Sequence, residues 1–501
     1  MRKLVALLML VFVPFCTLVA QNAVLHISVA NSKGAICDLY IPGLPGQSSV
    51  NLTLIDGSAS HKLQLARPQF VQLTCFDPAD WEHKHFNYML YLSPGDNLLL
   101  KADLNKAGFD FKVSGKGGNN NQPLISAMES INLHGFLRDT LPYNLINAIN
   151  TAQKNRQSNL GTYIRLYHPS LSFIKDQQTS LRYYASELFN NFKGTNKNYV
   201  WEAYYRNYAH WQKITDSLFK AAKLNNDAAL ATFNYTDLVS QFLYWENVDL
   251  SDEEYLHPVA FYREWYHTDT VKGKKLFSAD RKNLPREMII NRYFTGKTAE
   301  YLYAVLFAGA PSESNPRNIP EIFGRFKQKY PHSSYIAQFI QSVDSIMARE
   351  KYRLNNKMIF MDGNGTNLNS LDEVLTAMKG KTVLVDMWGT WCGPCREEIE
   401  KNSAAIRTHF NGKGLTYLYI ANYDKDNSEE WKKLIAYFDI EGTHLLASDK
   451  LTGDIMAKVK GSGFPTLFII KKDGSFELAK TQNPINREVL IKQLEEALAL
   501  Q

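Results

Sequence analysis

The stretch Trp391-Cys392-Gly393-Pro394-Cys395 decides how this chain is read. Ahead of it runs Thr382-Val383-Leu384-Val385-Asp386-Met387-Trp388, apolar apart from Thr382 and Asp386. Behind it, Arg396 to His409 is polar and rich in helix formers. A short apolar run, then Cys-x-x-Cys, then helical periodicity predicts a strand, a turn carrying two thiols, and a helix. A helix start offers unpaired N–H groups and the positive end of the dipole, both of which favour a thiolate. Cys392 at that start is the expected attacking nucleophile. Cys395, three residues on and nearly one turn deeper, is placed to resolve a mixed disulfide. The competing readings are a structural disulfide or half a zinc site. Zinc would need two further ligands at suitable spacing, which His409 and His444 do not supply, so no metal is expected.

At 501 residues the chain exceeds the roughly 250–300 residues at which one core stops growing, so several domains are expected. Composition is globular, with 45% hydrophobic and 21% charged residues. A net charge of +6 without a dense Lys/Arg cluster excludes nucleic acid as an expected partner. Arg2 and Lys3, the apolar run Leu4 to Val13, and Leu18-Val19-Ala20 read as a signal peptide over residues 1–20. Lipidation at Cys16 is the minor alternative, because Phe15 is bulkier than such sites take. No other run approaches ~18 apolar residues, so no integral membrane segment is expected after processing. These features predict the periplasm or cell envelope. Of the four cysteines left, the close pair makes Cys37 and Cys75 the natural other couple in an oxidising compartment. A structural bridge, two buried thiols and a second redox pair all remain open for them.

Along the chain, residues 22–118 alternate like short strands, including Val24 to Val29, Ala35 to Ile41, Phe70 to Phe76, Tyr88 to Leu92 and Phe109 to Val113. Turns such as Gly43-Leu44-Pro45-Gly46 and Ser93-Pro94-Gly95-Asp96 separate them, and the pattern predicts an antiparallel β-sandwich. Gly115 to Asn121 reads as a linker. His83 and His85 fall on one face of a strand, with no third ligand in view. From 122 to 352 the period becomes helical: Trp201, Tyr204, Tyr205, Tyr208 and Trp211 share a face, as do Ile336, Phe339, Ile340 and Val343. This central region is expected to be all-α, its stripes packing as core. Residues 357–501 alternate strands and helices and close on a hairpin at Lys472-Asp473-Gly474-Ser475, which predicts an α/β domain.

These residues carry a resemblance. Val385 to Arg396, the acidic Glu398 and Gly463-Phe464-Pro465-Thr466 make residues 357–501 similar to the thioredoxin-fold domains of TlpA/ResA-like thiol-disulfide oxidoreductases. The resemblance implies a redox-active dithiol with no other cofactor. It also implies that Pro465 is a cis-proline facing the dithiol, and that the Phe464 backbone meets an extended substrate segment. Trp391, Gly393 and Pro394 would form the substrate-facing rim, with Trp388 packing beneath. Asp386 matches the family's buried acid, which exchanges a proton with the second cysteine through water. A carboxylate in an apolar strand is costly unless it has a task, and desolvation raises its pKa. The chain departs from the family at Glu400, where a proline is usual, so a straighter helix is expected.

Gly393-Pro394 between the cysteines implies a reducing potential near ~−270 mV. In an oxidising compartment such a site needs a membrane or periplasmic electron donor. The expected activity is reduction or isomerisation of disulfides in protein substrates. The alternative is an envelope scaffold whose thioredoxin domain senses redox state. The order of β-domain, helical region and thioredoxin domain resembles secreted proteins of Bacteroidetes-type bacteria with an N-terminal DUF4369-like domain. Tyr91 to Asp96, Val113 to Gly117 and Tyr330-Pro331-His332-Ser333 carry that likeness.

Overall fold

The computed structural model describes residues 21–499 apart from 42–44, 47–48, 78–79, 81–82, 106–110, 124–130, 314 and 482–484. The expected signal segment with Cys16, part of the turn at residues 43–46 and residues 109–110 of a predicted strand lie outside the described residues. The chain divides into two compact units. One runs to residue 249 and includes 291–299; the other comprises 250–290 and 300 onward. Among the described residues no helix is long and apolar enough to cross a membrane.

In the first unit, alternate residues of each strand turn inward. One four-stranded sheet is ordered β4 (Ser58–Leu65), β1 (Gln21–Ala30), β7 (Asn97–Asp103), β8 (Lys112–Lys116). The other is β3 (Val50–Leu52), β2 (Ile36–Tyr40), β5 (Gln69–Phe76), β6 (His85–Leu92). Leu25, Ile27, Leu98 and Leu100 from the first sheet join Leu39, Val71, Leu73 and Leu90 from the second in one hydrophobic cluster. All the pairings are antiparallel except β1 with β7, which run parallel. The all-antiparallel expectation fails there because the chain leaves β6 through the Ser93–Asp96 turn and enters the first sheet from the same end as β1. His83 is not in a strand: it precedes β6, and its ring lies 2.8 Å from Asp80. Cys37 and Cys75 are directly opposed on β2 and β5, fully buried, bonded to each other, and 4.2 Å apart at Cα.

The stretch expected to be a linker is instead a fastened seam. Asn121 is buried; its side chain accepts from the Tyr91 N–H at 2.7 Å and donates to the carbonyls of Tyr91 and Gly117. Asn120 accepts from Ser170 N–H at 2.8 Å, and the Tyr163 hydroxyl donates to Asn119 O. Gly117 has φ +94°, and a Cβ there would meet the buried Asp96 carboxyl at 2.5 Å. Buried amides must be paired, and these amides pair the sheets with the helices that follow.

Those helices are α1 (Tyr143–Tyr167), α2 (Leu171–Tyr199), α3 (Trp201–Arg206) and α4 (Tyr208–Ala222). Phe70 and Tyr91 from the strands cluster with Leu160, Tyr163, Phe173 and Leu181 from α1 and α2. The aromatic stripe expected on one helix is broken at Asn207 between α3 and α4. Tyr204 and Trp211 are core, whereas Trp201 is exposed and lies under the Lys197 ammonium. Helices α5 (Phe233–Leu256), α8 (Asn283–Tyr293) and α9 (Gly296–Gly309) give residues to both units. Helices α6 (Pro258–Tyr266), α7 (Thr270–Ala279), α10 (Ile319–Lys329) and α11 (Ser334–Arg349) belong to the second. On α11, Phe339 and Val343 are buried as the stripe predicts, while Ile340 is exposed.

The second unit also contains a mixed six-stranded sheet of order β14 (Phe476–Leu478), β13 (Thr466–Ile470), β10 (Thr382–Trp388), β11 (Leu415–Ala421), β12 (Gly442–Leu446), β9 (Met358–Phe360). β10, β11, β12 and β9 are mutually parallel, and β13 and β14 are antiparallel. Val383, Val385 and Met387 pack on one face with Leu371 and Val374 of α12 (Leu371–Ala377) and Leu451 and Ile455 of α16 (Asp449–Val459). Leu384, Asp386 and Trp388 face the other side. There lie α13 (Gly393–Glu398), α14 (Ala404–His409), α15 (Ser428–Tyr437) and α17 (Arg487–Ala499).

The Cys37–Cys75 bridge spans 38 residues of chain, so removing it frees the unfolded state by about 3–4 kcal/mol in the chain-entropy picture. Replacing both cysteines by alanine should lower the urea midpoint of the first unit while leaving the chemistry of the Cys392–Cys395 pair unchanged. An unaltered midpoint would show that the bridge is not holding that unit.

Candidate active site

Strand β10 ends in Trp388, which is fully buried in a cluster with both cysteines. The chain then turns through Gly389, Thr390 and Trp391. A Cβ on Gly389 would lie 2.5 Å from Trp391 Nε1, so only glycine lets the indole fold back over the loop. Trp391 is half exposed and donates from Nε1 to Asn422 O at 2.8 Å. Thr390 is clamped by the buried Asp424 carboxylate, which accepts its N–H at 2.7 Å and also its hydroxyl.

Cys392 caps α13: its Sγ accepts the Cys395 N–H at 3.2 Å. Pro394 sits in the first turn, where a missing N–H costs no helical bond. Gly393 beside it is half-buried and Pro394 is exposed. The two sulfurs are bonded, with Cα atoms 5.3 Å apart, and Cys392 is the less covered of the two. The Phe464–Pro465 peptide is cis. Phe464 packs against the cluster that holds both cysteines. Its ring, Trp391 and Tyr423 form a mutual aromatic trio, with centroids 5.7 to 6.1 Å apart. Tyr423 is exposed at φ +59°, held there between two buried, side-chain-bonded neighbours, Asn422 and Asp424. Such left-handed backbone in a non-glycine residue is found where surrounding structure over-determines it, often at functional sites.

Beneath this rim, Asp386 opens on a cavity of about 20 Å³ that it shares with Glu398, Asn402, Ser403, Tyr417 and Tyr419. That space suits about one water molecule. Asp386 Oδ1 is buried without a hydrogen-bond partner among the described residues. Burial, and then the facing Glu398 charge, push its pKa up to about 7. Glu398 is also raised by burial, although Asn402 Nδ2 donates to it at 2.6 Å and Ile485 N–H at 3.3 Å. Two carboxyl groups around one small cavity cannot both ionise cheaply, so protons are held there near neutral pH.

Sequence reasoning singled out Asp386 but assigned Glu398 no role; only the turn of α13 brings the two acids to one cavity. Tyr423 and Asp424 were also missed, though they follow the carboxyl end of β11, where ligands of open α/β sheets bind. The helix after the cysteines departs from expectation too. Lacking proline at Glu400, it was expected to run straight, but Ile399–Ser403 forms one wide π-type turn. Within that turn Glu400 meets the Arg349 guanidinium, and Asn402 Nδ2 donates to Glu398. The histidines weighed as zinc ligands lie apart in function: His409 contacts Glu495, and His444 is buried and neutral, its pKa lowered to about 4 by burial. Among the described residues no three His, Cys, Asp or Glu side chains come together as a metal site.

Residues 380–476 match a family model described as thioredoxin-like. The thiol-disulfide oxidoreductase ResA of Bacillus thuringiensis subsp. konkukian is 31% identical over 134 residues, covering 26% of this chain and 70% of that protein. The thiol:disulfide interchange protein DsbE of Pseudomonas aeruginosa is 31% identical over 97 residues, covering 19% of this chain and 49% of its own length. Among solved structures, the thioredoxin domain of a thiol-disulfide oxidoreductase from Bacteroides vulgatus is 24% identical. That likeness covers 24% of this chain and 82% of that one, at a TM-score of 0.21.

An acid whose folded pKa lies above its unfolded value holds its proton more tightly when folded. The stability it contributes is full below about pH 4 and is lost as pH rises towards about 7. Asp386→Asn, which cannot ionise, should therefore gain on the wild type across that window, by up to about 4 kcal/mol. Urea unfolding of the oxidised proteins at about pH 4.5 and about pH 8 reads the gain. An equal difference at both pH values would show that Asp386 carries no raised pKa.

Proposed function

We propose that this chain, which belongs to the thioredoxin-like thiol-disulfide oxidoreductase family that includes ResA, reduces or isomerises disulfides of exported proteins through Cys392 and Cys395. The observation that carries the reading is the placement of Cys392 Sγ at the start of α13, where it accepts the Cys395 N–H in the first turn. In the reduced protein those N–H groups and the helix dipole stabilise the Cys392 thiolate.

The thiolate attacks one sulfur of a substrate disulfide. A Cys392–substrate bond forms, the substrate S–S bond breaks, and the departing sulfur takes up a proton. Asp386, whose pKa near 7 leaves a share of it ionised at neutral pH, accepts the Cys395 proton through a water. Cys395 then attacks Cys392 Sγ, the Cys392–Cys395 bond closes, and the second substrate sulfur leaves as a thiol. The enzyme has lost two electrons and the substrate has gained them. An outside dithiol donor, in the membrane or the periplasm, must return them. The aromatic trio of Trp391, Tyr423 and Phe464 is the platform on which an extended substrate segment lies, its backbone paired beside Phe464 and Pro465.

The N-terminal two-sheet unit, read as a DUF4369-like β-sandwich with a structural Cys37–Cys75 bridge, and the helices after it would select or dock the protein substrate. The leader at residues 1–20 would direct the chain to the periplasm or cell envelope. The near-balanced charge of the sequence, 56 Lys and Arg against 50 Asp and Glu, fits a protein partner rather than nucleic acid.

The wild-type chain should accelerate insulin-disulfide reduction by dithiothreitol, and Cys392→Ser should abolish the acceleration; equal rates for the two would overturn the proposal. Cys395→Ala should accumulate mixed disulfides on Cys392, visible as higher-mass adducts on non-reducing gels. Asp386→Asn should slow turnover by roughly 10²-fold, the usual contribution of a positioned proton acceptor.

A further inference from the structure

The helix that carries the dithiol is gripped from outside the six-stranded sheet at two points, both on the segment from the end of α9 to the end of α11. The first grip is Arg396, next in the chain to Cys395 and only 8% exposed. Its Nε donates to Ser312 O at 2.7 Å, in the short turn Ala310–Ser312 that follows α9, while Nη1 donates to Thr390 O. Thr390 is two residues before Cys392. One guanidinium thus ties the loop that presents the nucleophile to a carbonyl of the helical region. Burial pulls the Arg396 pKa down, and Glu313, Asp424 and Glu430 face it from three different elements. Glu313 is itself buried and held by Lys282 at 2.7 Å and Arg286 at 3.5 Å.

The second grip is Glu400, in the wide turn. Both its carboxylate oxygens are engaged by Arg349, the last residue of α11, one of them at 2.8 Å. Arg349 also lies over the buried Tyr437 ring of α15, 5.8 Å from its centroid. A bidentate pair with each side chain about four-fifths covered is geometrically specific in a way that a lone exposed ion pair is not.

We propose that the segment Ala310–Arg349 is a working part of the redox site, holding the active-site helix through the positioning residues Arg396 and Glu400 and thereby setting how strongly the Cys392 thiolate is stabilised. The inference rests on the redox reading of Cys392 and Cys395. It goes beyond that reading by making the thioredoxin-like domain dependent on helices outside the fold. The physical reason is that thiolate stabilisation by helix N–H groups and dipole falls off within the first turn, so a small displacement of α13 or of the 389–391 loop changes it.

The test uses the full chain and two readouts that need no protein substrate: the Cys392 thiol pKa, from the ultraviolet absorbance of the thiolate, and the equilibrium with glutathione. In that equilibrium the Cys392–Cys395 bond breaks, two glutathione thiols each give up a proton and an electron, and one glutathione disulfide forms. Arg349→Ala and Glu400→Ala should each raise the thiol pKa and shift the equilibrium towards the protein disulfide by roughly three- to tenfold. The double variant should shift it no further than either single one, because both changes remove the same grip. Arg396→Gln should shift both readouts in the same direction, and Arg396→Lys, which keeps a cation there, should recover most of the loss. Unchanged pKa and equilibrium in the single variants, whatever their thermal midpoints, would overturn the proposal, as would additive effects in the double variant. If Arg396→Gln does not fold, the Arg349 and Glu400 cycle decides alone. A chain that shows these shifts but fails to reduce insulin would overturn the proposed function and leave this inference standing.

Discussion

Where α13 begins is the constraint on which the site depends. A helix has unpaired N–H groups only in its first turn, and the dipole's positive end is confined to the same few ångströms. Cys392 benefits from both because its sulfur takes the place of a capping oxygen at the helix start. That position is fixed from below by the register of β10 against β11. It is fixed from the side by Asn422, whose side chain donates to Trp388 O at 2.9 Å, and by Asp424 on Thr390. The loop is short, its one glycine is needed for ring clearance, and Thr390 and Trp391 are each tied to the 422–424 segment by hydrogen bonds.

The parts of this arrangement that are local in sequence were legible before the fold was known. Cys392, Cys395 and the strand with Asp386 lie within ten residues of one another, and the Cys-x-x-Cys spacing matches one helical turn. Strands Leu415–Ala421 and Thr466–Ile470 were equally plain as short, nearly continuous apolar runs, and the helix Arg487–Ala499 by its spaced apolar residues. Strand β12 was not, because Gly442-Thr443-His444-Leu445-Leu446 opens on a glycine and carries a histidine in its middle. It is a strand because β11 and β9 supply partners on both sides. Likewise Ser58–Leu65, more than half of it polar, was not singled out as a strand, and it forms one by pairing with β1. The apposition of Asp386 and Glu398 is a third case, since it depends on the turn angle of a helix and not on spacing.

The stretch from Gly115 to Asn121 shows how composition can mislead in the opposite direction. Glycine and asparagine are frequent in linkers because they tolerate unusual backbone and solvent. Here the same tolerance serves close packing: Gly117 lies against a buried carboxyl, and Asn120 and Asn121 spend their amides on sheet and helix. The unit boundary falls instead within α5, α8 and α9, where composition gives no sign of it.

The wide turn Ile399–Ser403 has a consequence for comparing this chain with its relatives. A π-type turn contains one residue more than an α turn, so every side chain after it is rotated by about 100° relative to a regular helix. Ile399 points into the cluster with the cysteines, whereas Ile406 and Phe410 join a different one with Leu467, Ile469, Leu490 and Leu494. Correspondence with a regularly wound helix therefore holds to Glu398 and slips by one position beyond Ser403. Set against such a helix, this chain needs a one-residue gap there to keep its core residues paired with core residues.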